Sequence, residues 1–245
     1  MCGRYVVEST PEVLAQRFGV DDIRIVDAAP DYNVAPRTEV MVVRERDERR
    51  VLSRVRWGLV PTWARDPSIG DRMINVRSES VVEKFRPTIE RRRCIVPADG
   101  FYEWGPAPPA PGSTRRRTRP YYVHRGDGAP LALAGLWEVW RIPGDHALAS
   151  QHPDGWLRTC TILTTGATGP LAAIHHRMPV RLAESAWERW LDPAARNPGE
   201  LMSLLEPREA ALRDLEVRPV GPLVNRAVNN GPELVRAVEP DTLFS

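Results

Sequence analysis

The sequence predicts an α+β protein, a single domain over residues 1–245 with an antiparallel, barrel-like β-sheet core flanked by short helices. Three observations carry that expectation. Stretches rich in Val, Ile, Leu and aromatic residues with period-two alternation recur along the chain. Helical spacing is confined to short segments. The strand-like style resumes on both sides of each Pro- and Gly-rich stretch, so none of these stretches reads as a domain linker.

Taken in order, TPEVLAQRF (10–18) reads as a helix, with Thr10 as N-cap, Pro11 at the first helical position, and Val13, Leu14 and Phe18 on one face. DYNVAPRTEV is a turn-rich lead into a strand. VMVVRERDERRVLSRVRWGLVP predicts a β-hairpin with a charged connection, Val51, Ser53, Val55 and Trp57 alternating against Leu52, Arg54, Arg56 and Gly58. RRRCIVPADGFYEW predicts a strand bent at Pro97 and Gly100. RPYYVHRGDGAPLALAGLWEVW predicts a second hairpin around Gly126, Asp127 and Gly128. RTCTILTT and MPVRL are further strands, and AESAWERWL and residues 200–205 have helical spacing. Loose surface insertions are expected near 105–119 (GPAPPAPGSTRRRT) and 142–156 (IPGDHALASQHPDG).

Composition narrows the function classes. No stretch approaches the roughly 18 apolar residues of a membrane span, and the N-terminus lacks the features of a signal peptide, so a cytoplasmic protein is expected. Cys2, Cys94 and Cys160 are an odd number without a close pair, which disfavours a disulfide framework or a Cys-rich zinc site. Net charge is only +2, so a basic partner-binding face requires segregation of charge. Lys84 is the one lysine among 34 basic residues, so an amine nucleophile has to be Lys84 or the α-amine.

Five constellations can carry chemistry. In MCGRY, removal of Met1 would give Cys2 a thiol and an α-amine on neighbouring carbons, both partly reactive near neutral pH. Condensation with an aldehyde to a thiazolidine and attack on an amide are both open to it; so is an accidental cysteine. In MINVRSES, Asn75 and Arg77 would point the same way from an extended segment, as an anion site or as a solvated turn. In ADGFYEWG, Glu103 between Tyr102 and Trp104 is a general acid or base if buried, or a strand edge if not. In AAIHHRMPV an imidazole can move protons while Arg177 holds an anion; neighbouring strand histidines face opposite ways, which disfavours metal. Finally, Trp57, Trp63 and Trp104 accompany Arg4, Arg37, Arg56, Arg77 and Arg177, a mixture that suits unpaired bases and phosphates or, for the tryptophans, core packing.

MCGRY, YNVAP, RWGLVPTWA, INVRSES, RCIVPADGFYEW, ALAGLWE, TILTT, AIHHRMPV and VNNGPEL together, in this order, resemble the SOS-response-associated peptidase (SRAP) family of abasic-site processing proteins. The resemblance runs from Cys2 to about Val238 and omits only the two insertions. It implies a sensor of abasic sites in single-stranded DNA that acts during replication and the DNA damage response. Once Met1 is removed, Cys2 captures the aldehyde of the ring-opened sugar as a thiazolidine crosslink. Self-processing peptidase and abasic-site lyase activities are implied as well. The matching catalytic positions are Cys2, Asn75, Glu103 and His175. Arg4, Trp63, Arg77, Trp104 and Arg177 match the DNA-contacting positions. The resemblance implies no cofactor and no metal, and a monomer is expected. Departures from the family pattern are His176 in place of an acidic residue, Ala64 in place of a second tryptophan beside Trp63, and Glu39 where a basic residue would meet phosphate.

Overall fold

The computed structural model describes residues 2–107, 117–206 and 214–238. Its first half runs β1 (Arg4–Val7), α1 (Pro11–Phe18), β2 (Asp22–Ile23), β3 (Asp31–Val34), β4 (Glu39–Arg46), β5 (Arg49–Trp57), β6 (Asn75–Arg77) and α2 (Val81–Arg91). Then follow β7 (Arg93–Ala98), β8 (Gly100–Ala107), β9 (Arg117–Arg125), β10 (Leu131–Arg141), β11 (Trp156–Gly166), β12 (Arg177–Pro179), α3 (Trp187–Leu191), α4 (Pro198–Ser203) and β13 (Leu215–Pro219).

The expected barrel is a closed ring of five strands. β4 pairs with β5, β5 with β11, β11 with β10, β10 with β7, and β7 returns to β4. Closure leaves these strands no free edge and encloses a core that includes Val42, Val55, Trp57, Ile95, Leu133 and Ile162. The ring is not wholly antiparallel, because the β5–β11 contact that closes it is parallel, as are β2–β5 and β6–β11. A second sheet, ordered β13-β9-β8-β1-β3, packs beside the ring. The chain passes between the two sheets at Asp99, the bend expected between Pro97 and Gly100. There the Asp99 carboxylate accepts the Glu8 and Ser9 N–H groups at 2.7 and 2.9 Å and fixes the exit of β1.

Most elements lie where residue chemistry puts them. Thr10 Oγ1 accepts the Val13 N–H, Pro11 opens α1, and Gly19 closes it with φ 62°. Val13, however, is 48% exposed, and Leu14, Ala15 and Phe18 form the buried face instead. The β4–β5 hairpin turns on Asp47 and Glu48, both at positive φ (54° and 59°).

The second expected hairpin is not one. β9 pairs with β8 from Gly100↔His124 to Ala107↔Arg117, whereas β10 pairs with β7 and β11 in the other sheet. Alternation marks a strand but not its partner. The Gly126–Gly128 turn is therefore a corner between sheets, stabilised where Asp127 accepts the Ala129 N–H and pairs with Arg125. The hairpin partner of β9 is β8, across the first insertion, whose residues 108–116 lie outside the described ones.

The second insertion is not loose. Ile142, Leu148 and Ala149 pack with Val60, Ala64, Trp140 and Leu157 in a small core of their own. Its Pro and Gly content conceals these apolar anchors. α2 had no expected counterpart, because Pro87 lies inside it and Phe85 breaks the helical geometry (φ −134°, ψ 32°). No helix among the described residues is long and apolar enough to cross a membrane.

Candidate active site

Cys2 is fixed by the strand that follows it. β1 lies between two neighbours, Arg4 opposite Tyr102 of β8 and Tyr5 opposite Val34 of β3. This pairing carries position 2 to the Glu103–Trp104 end of β8. Cys2 has 0% exposure, and its Sγ donates weakly to the Arg4 carbonyl at 4.0 Å.

Two expected partners converge on it. Asn75 begins β6, where Val76 faces the interior and Asn75 and Arg77 face away from it. Asn75 Nδ2 donates to the Cys2 carbonyl at 2.8 Å, and its buried Oδ1 has no hydrogen-bond partner among the described residues. Glu103, on β8, is 2% exposed. Burial pushes its carboxyl up from 4.5 to about 7. The Cys2 thiol is also pushed up, first by burial and then by the negative charge of Glu103, so the two groups share one electrostatic environment. An acid that titrates near neutrality therefore faces a protonated thiol.

His175 comes from the turn before β12. Gly105 on β8 permits the approach: a Cβ there would come 2.7 Å from Ile174 Cγ2 and 3.0 Å from Ile174 Cα. His175 Nδ1 lies 3.0 Å from the Arg177 N–H, and its ring sits 4.3 Å from that of His176, tilted by 33°. His176 is exposed, and its pKa is lowered chiefly by the neighbouring His175 charge, with Arg177 and Arg77 contributing. Positive charge is thus concentrated where β6 ends and β12 begins.

The expected DNA-contacting residues divide by exposure. Trp63 is 70% exposed and borders a cleft of about 590 Å³ with Arg37, Arg65, Asp71 and Arg72. Arg37 sits at φ 76°, a left-handed conformation uncommon for arginine. Its guanidinium lies 3.3 Å from Asp71, which Arg56 also engages at 2.9 Å. Arg77 is exposed and makes no ion pair among the described residues. By contrast, Arg4 donates to Asn33 Oδ1 and the Val224 carbonyl at 2.7 and 3.0 Å, and Trp104 Nε1 donates to Asn225 Oδ1 at 2.7 Å. Arg177 is bound to Glu79. Trp57 belongs to the core, edge-on to Tyr5 and donating to the Ile74 carbonyl. Arg65 and Arg72 escaped the sequence reading, although both flank the Asp66-capped turn beside Trp63.

The model of the family described as SOS response associated peptidase (SRAP) matches residues 1–227. The abasic site processing protein YoqW of Bacillus subtilis (strain 168) is 36% identical over 240 residues, covering 97% of this chain and 100% of the relative. YoaM of the same organism is 37% identical over 241 residues, covering 97% of this chain and 98% of its own. The abasic site processing protein HMCES of Pongo abelii is 29% identical over 280 residues, covering 98% of this chain and 77% of its own. A crystal structure of a Bacteroides thetaiotaomicron protein shares the fold, with a TM-score of 0.79 at 24% identity over 97% of this chain and 100% of that one.

Proposed function

This chain belongs to the SOS response associated peptidase (SRAP) family, and from that premise we propose that it processes abasic sites in single-stranded DNA by a covalent crosslink through Cys2. Similarity to abasic site processing proteins supports the reaction class. The finer reading rests on one observation, the burial of Glu103 beside Cys2 in a setting that brings its pKa to about 7.

Removal of Met1 makes Cys2 an aminothiol. Its neutral amine adds to the C1′ aldehyde of the ring-opened sugar to give a carbinolamine, which loses water to form an imine. Protonated Glu103 supplies the proton that water needs to leave. The imine so formed carries its proton on nitrogen; sulfur adds to its carbon while the thiol proton passes to carboxylate Glu103, which is returned to its acid form. Aldehyde and aminothiol thereby give thiazolidine and one water. Asn75 Oδ1 accepts from the amine and holds it in line. His175 protonates or holds the sugar oxygen released on ring opening. The same imine acidifies the neighbouring C2′ hydrogens, so lyase cleavage of the 3′ phosphate competes until sulfur closes the ring. Arg77 binds a flanking phosphate, and Trp63 stacks on an unpaired base.

The test is incubation with a single-stranded oligonucleotide carrying one abasic site, followed by a denaturing gel. A slow-migrating adduct is expected from the protein whose intact mass lacks Met1, and none from Cys2→Ala. Peptide turnover without an adduct would overturn the crosslinking reading in favour of a peptidase. So would adduct formation by protein that retains Met1.

A further inference from the structure

One ion pair joins the turn after β6, the strand that Asn75 opens, to the start of β12, two residues past His175. Glu79 lies in the short 3-10 turn Ser78–Ser80 directly after β6, and Arg177 opens β12. Both strands flank the end of β11, where Thr164 is paired with Arg77 on one side and Pro179 on the other. The Arg177 guanidinium spans that end. Its Nη1 and Nη2 donate to the two Glu79 oxygens at 2.6 and 2.8 Å, and Nη2 also donates to the Thr164 carbonyl at 2.6 Å. Such a fork-to-carboxylate pair fixes direction as well as distance. The Arg177 side chain is 10% exposed, so water competes little for it. Hydrogen bonds from Arg177 hold the Glu79 carboxyl near 2, which keeps it ionised across the neutral range.

The main chain of the same arginine meets His175. The Arg177 N–H donates to His175 Nδ1 at 3.0 Å, and the Arg177 carbonyl oxygen lies 3.0 Å from that nitrogen as well. A neutral imidazole that accepts at Nδ1 carries its proton on Nε2. An imidazolium instead presents Nδ1–H, and the Arg177 carbonyl is its acceptor. One residue's backbone therefore suits both protonation states of the ring without a flip. β12 pairs with β11 through three residues, and the Ala167 N–H donates to the His176 carbonyl just before them; the guanidinium clamp adds a side-chain tie to this backbone.

We propose that Glu79 is a positioning residue, whose clamp on Arg177 holds the main-chain cradle in which His175 gains and loses its proton, at a fixed spacing from the Asn75 strand. The consequence for rate rests on the crosslinking reading above; the consequence for the imidazole does not. Glu79→Gln keeps the shape and removes the charge. Its crosslinking rate to an abasic single-stranded oligonucleotide is expected to fall about tenfold, since small displacements of a proton-transfer group cost that much or more. Non-covalent affinity for the oligonucleotide, measured in a Cys2→Ala background, is expected to stay within about twofold.

In ¹⁵N-resolved NMR, wild-type His175 is expected as the single Nε2–H tautomer at high pH, and Glu79→Gln as a mixture. Glu79→Asp, which keeps the charge, is expected to restore the single tautomer. A Gln variant with wild-type rate and wild-type His175 shifts would overturn the proposal. So would equal losses in the Asp and Gln variants, which would make Glu79 a space-filling residue, or several-fold tighter DNA binding at unchanged rate, which would make it a competitor for phosphate. If the wild type forms no crosslink, the crosslinking reading fails, while the NMR comparison still decides the clamp.

Discussion

At the scale of single residues, the site sets a buried carboxyl against stability. Glu103 titrates near 7 in the folded chain, above its ordinary 4.5, because burial disfavours its charge. The folded state therefore binds a proton that the unfolded state has already lost between those two values. The sign follows: the stability tied to this group is fully present below pH 4.5 and is lost as pH rises through about 7. Glu103→Gln carries no charge to bury, so at pH 8 it is expected to be more stable than wild type by roughly 3 kcal/mol, read as a higher unfolding temperature, with the difference vanishing near pH 4. Thermal unfolding at the two pH values checks this. The same variant is expected to lose the bend near pH 7 in the pH dependence of crosslinking, along with most of the rate. Asn75 shows a related trade on a smaller scale, because its buried Oδ1 has no partner among the described residues and so stands ready to accept one from an incoming group.

At the scale of elements, what the sequence revealed depended on whether the signal was local. α1 could be read from Thr10, Pro11 and its apolar spacing because every contact that starts and stops it lies within the segment. The β4–β5 hairpin was legible for the same reason. Partner choice between sheets was not: β8 and β9 pair across an insertion, and β10 alternates equally well whichever strand lies beside it. α2 stayed hidden because Pro87 contradicts a helix locally, and burial of Val81, Thr88 and Ile89 overrides that conflict. The hairpin turn itself holds a second conflict. Asp47 and Glu48 both occupy left-handed geometry, which Asn and Gly adopt at lower cost. Asp47→Asn with Glu48→Gly is therefore expected to raise stability by about 0.5–1.5 kcal/mol, read as a higher midpoint in urea at unchanged slope, with no effect on the distant site.

At the scale of the whole molecule, the site depends on both ends of the described chain. Cys2, Asn75, Glu103 and His175 were expected together because their motifs, in order, resemble those of one family, but no residue pattern announced what holds them. YNVAP and VNNGPEL show one thing that does, since both lie against the strands that carry the candidate site. Asn33, in the first, donates to the carbonyls of Arg226 and Asn229 at 3.0 and 2.9 Å and accepts Arg4 at 2.7 Å. Asn230, in the second, accepts the Tyr32 N–H at 2.8 Å, and Asn225 receives Trp104. The segment after β13 is thus strapped beneath β1 and β8, the two strands that set Cys2 against Glu103. Asn33→Ala would leave the carbonyls of Arg226 and Asn229 and the Arg4 guanidinium each short of a partner in a part-buried setting. Because water still reaches these groups and Arg4 keeps the Val224 carbonyl, each loss costs about 1 kcal/mol, the low end for an orphaned group, and a destabilisation of roughly 2–4 kcal/mol is expected. Crosslinking should fall even at temperatures where the variant remains folded, because β1 then loses the Arg4–Asn33 tie and keeps, towards the C-terminal segment, the single Arg4 bond to the Val224 carbonyl. Hydrogen exchange separates the two effects: faster exchange confined to β1 and residues 222–238 supports the strap, whereas uniform acceleration across the barrel would reduce Asn33 to a general stabiliser.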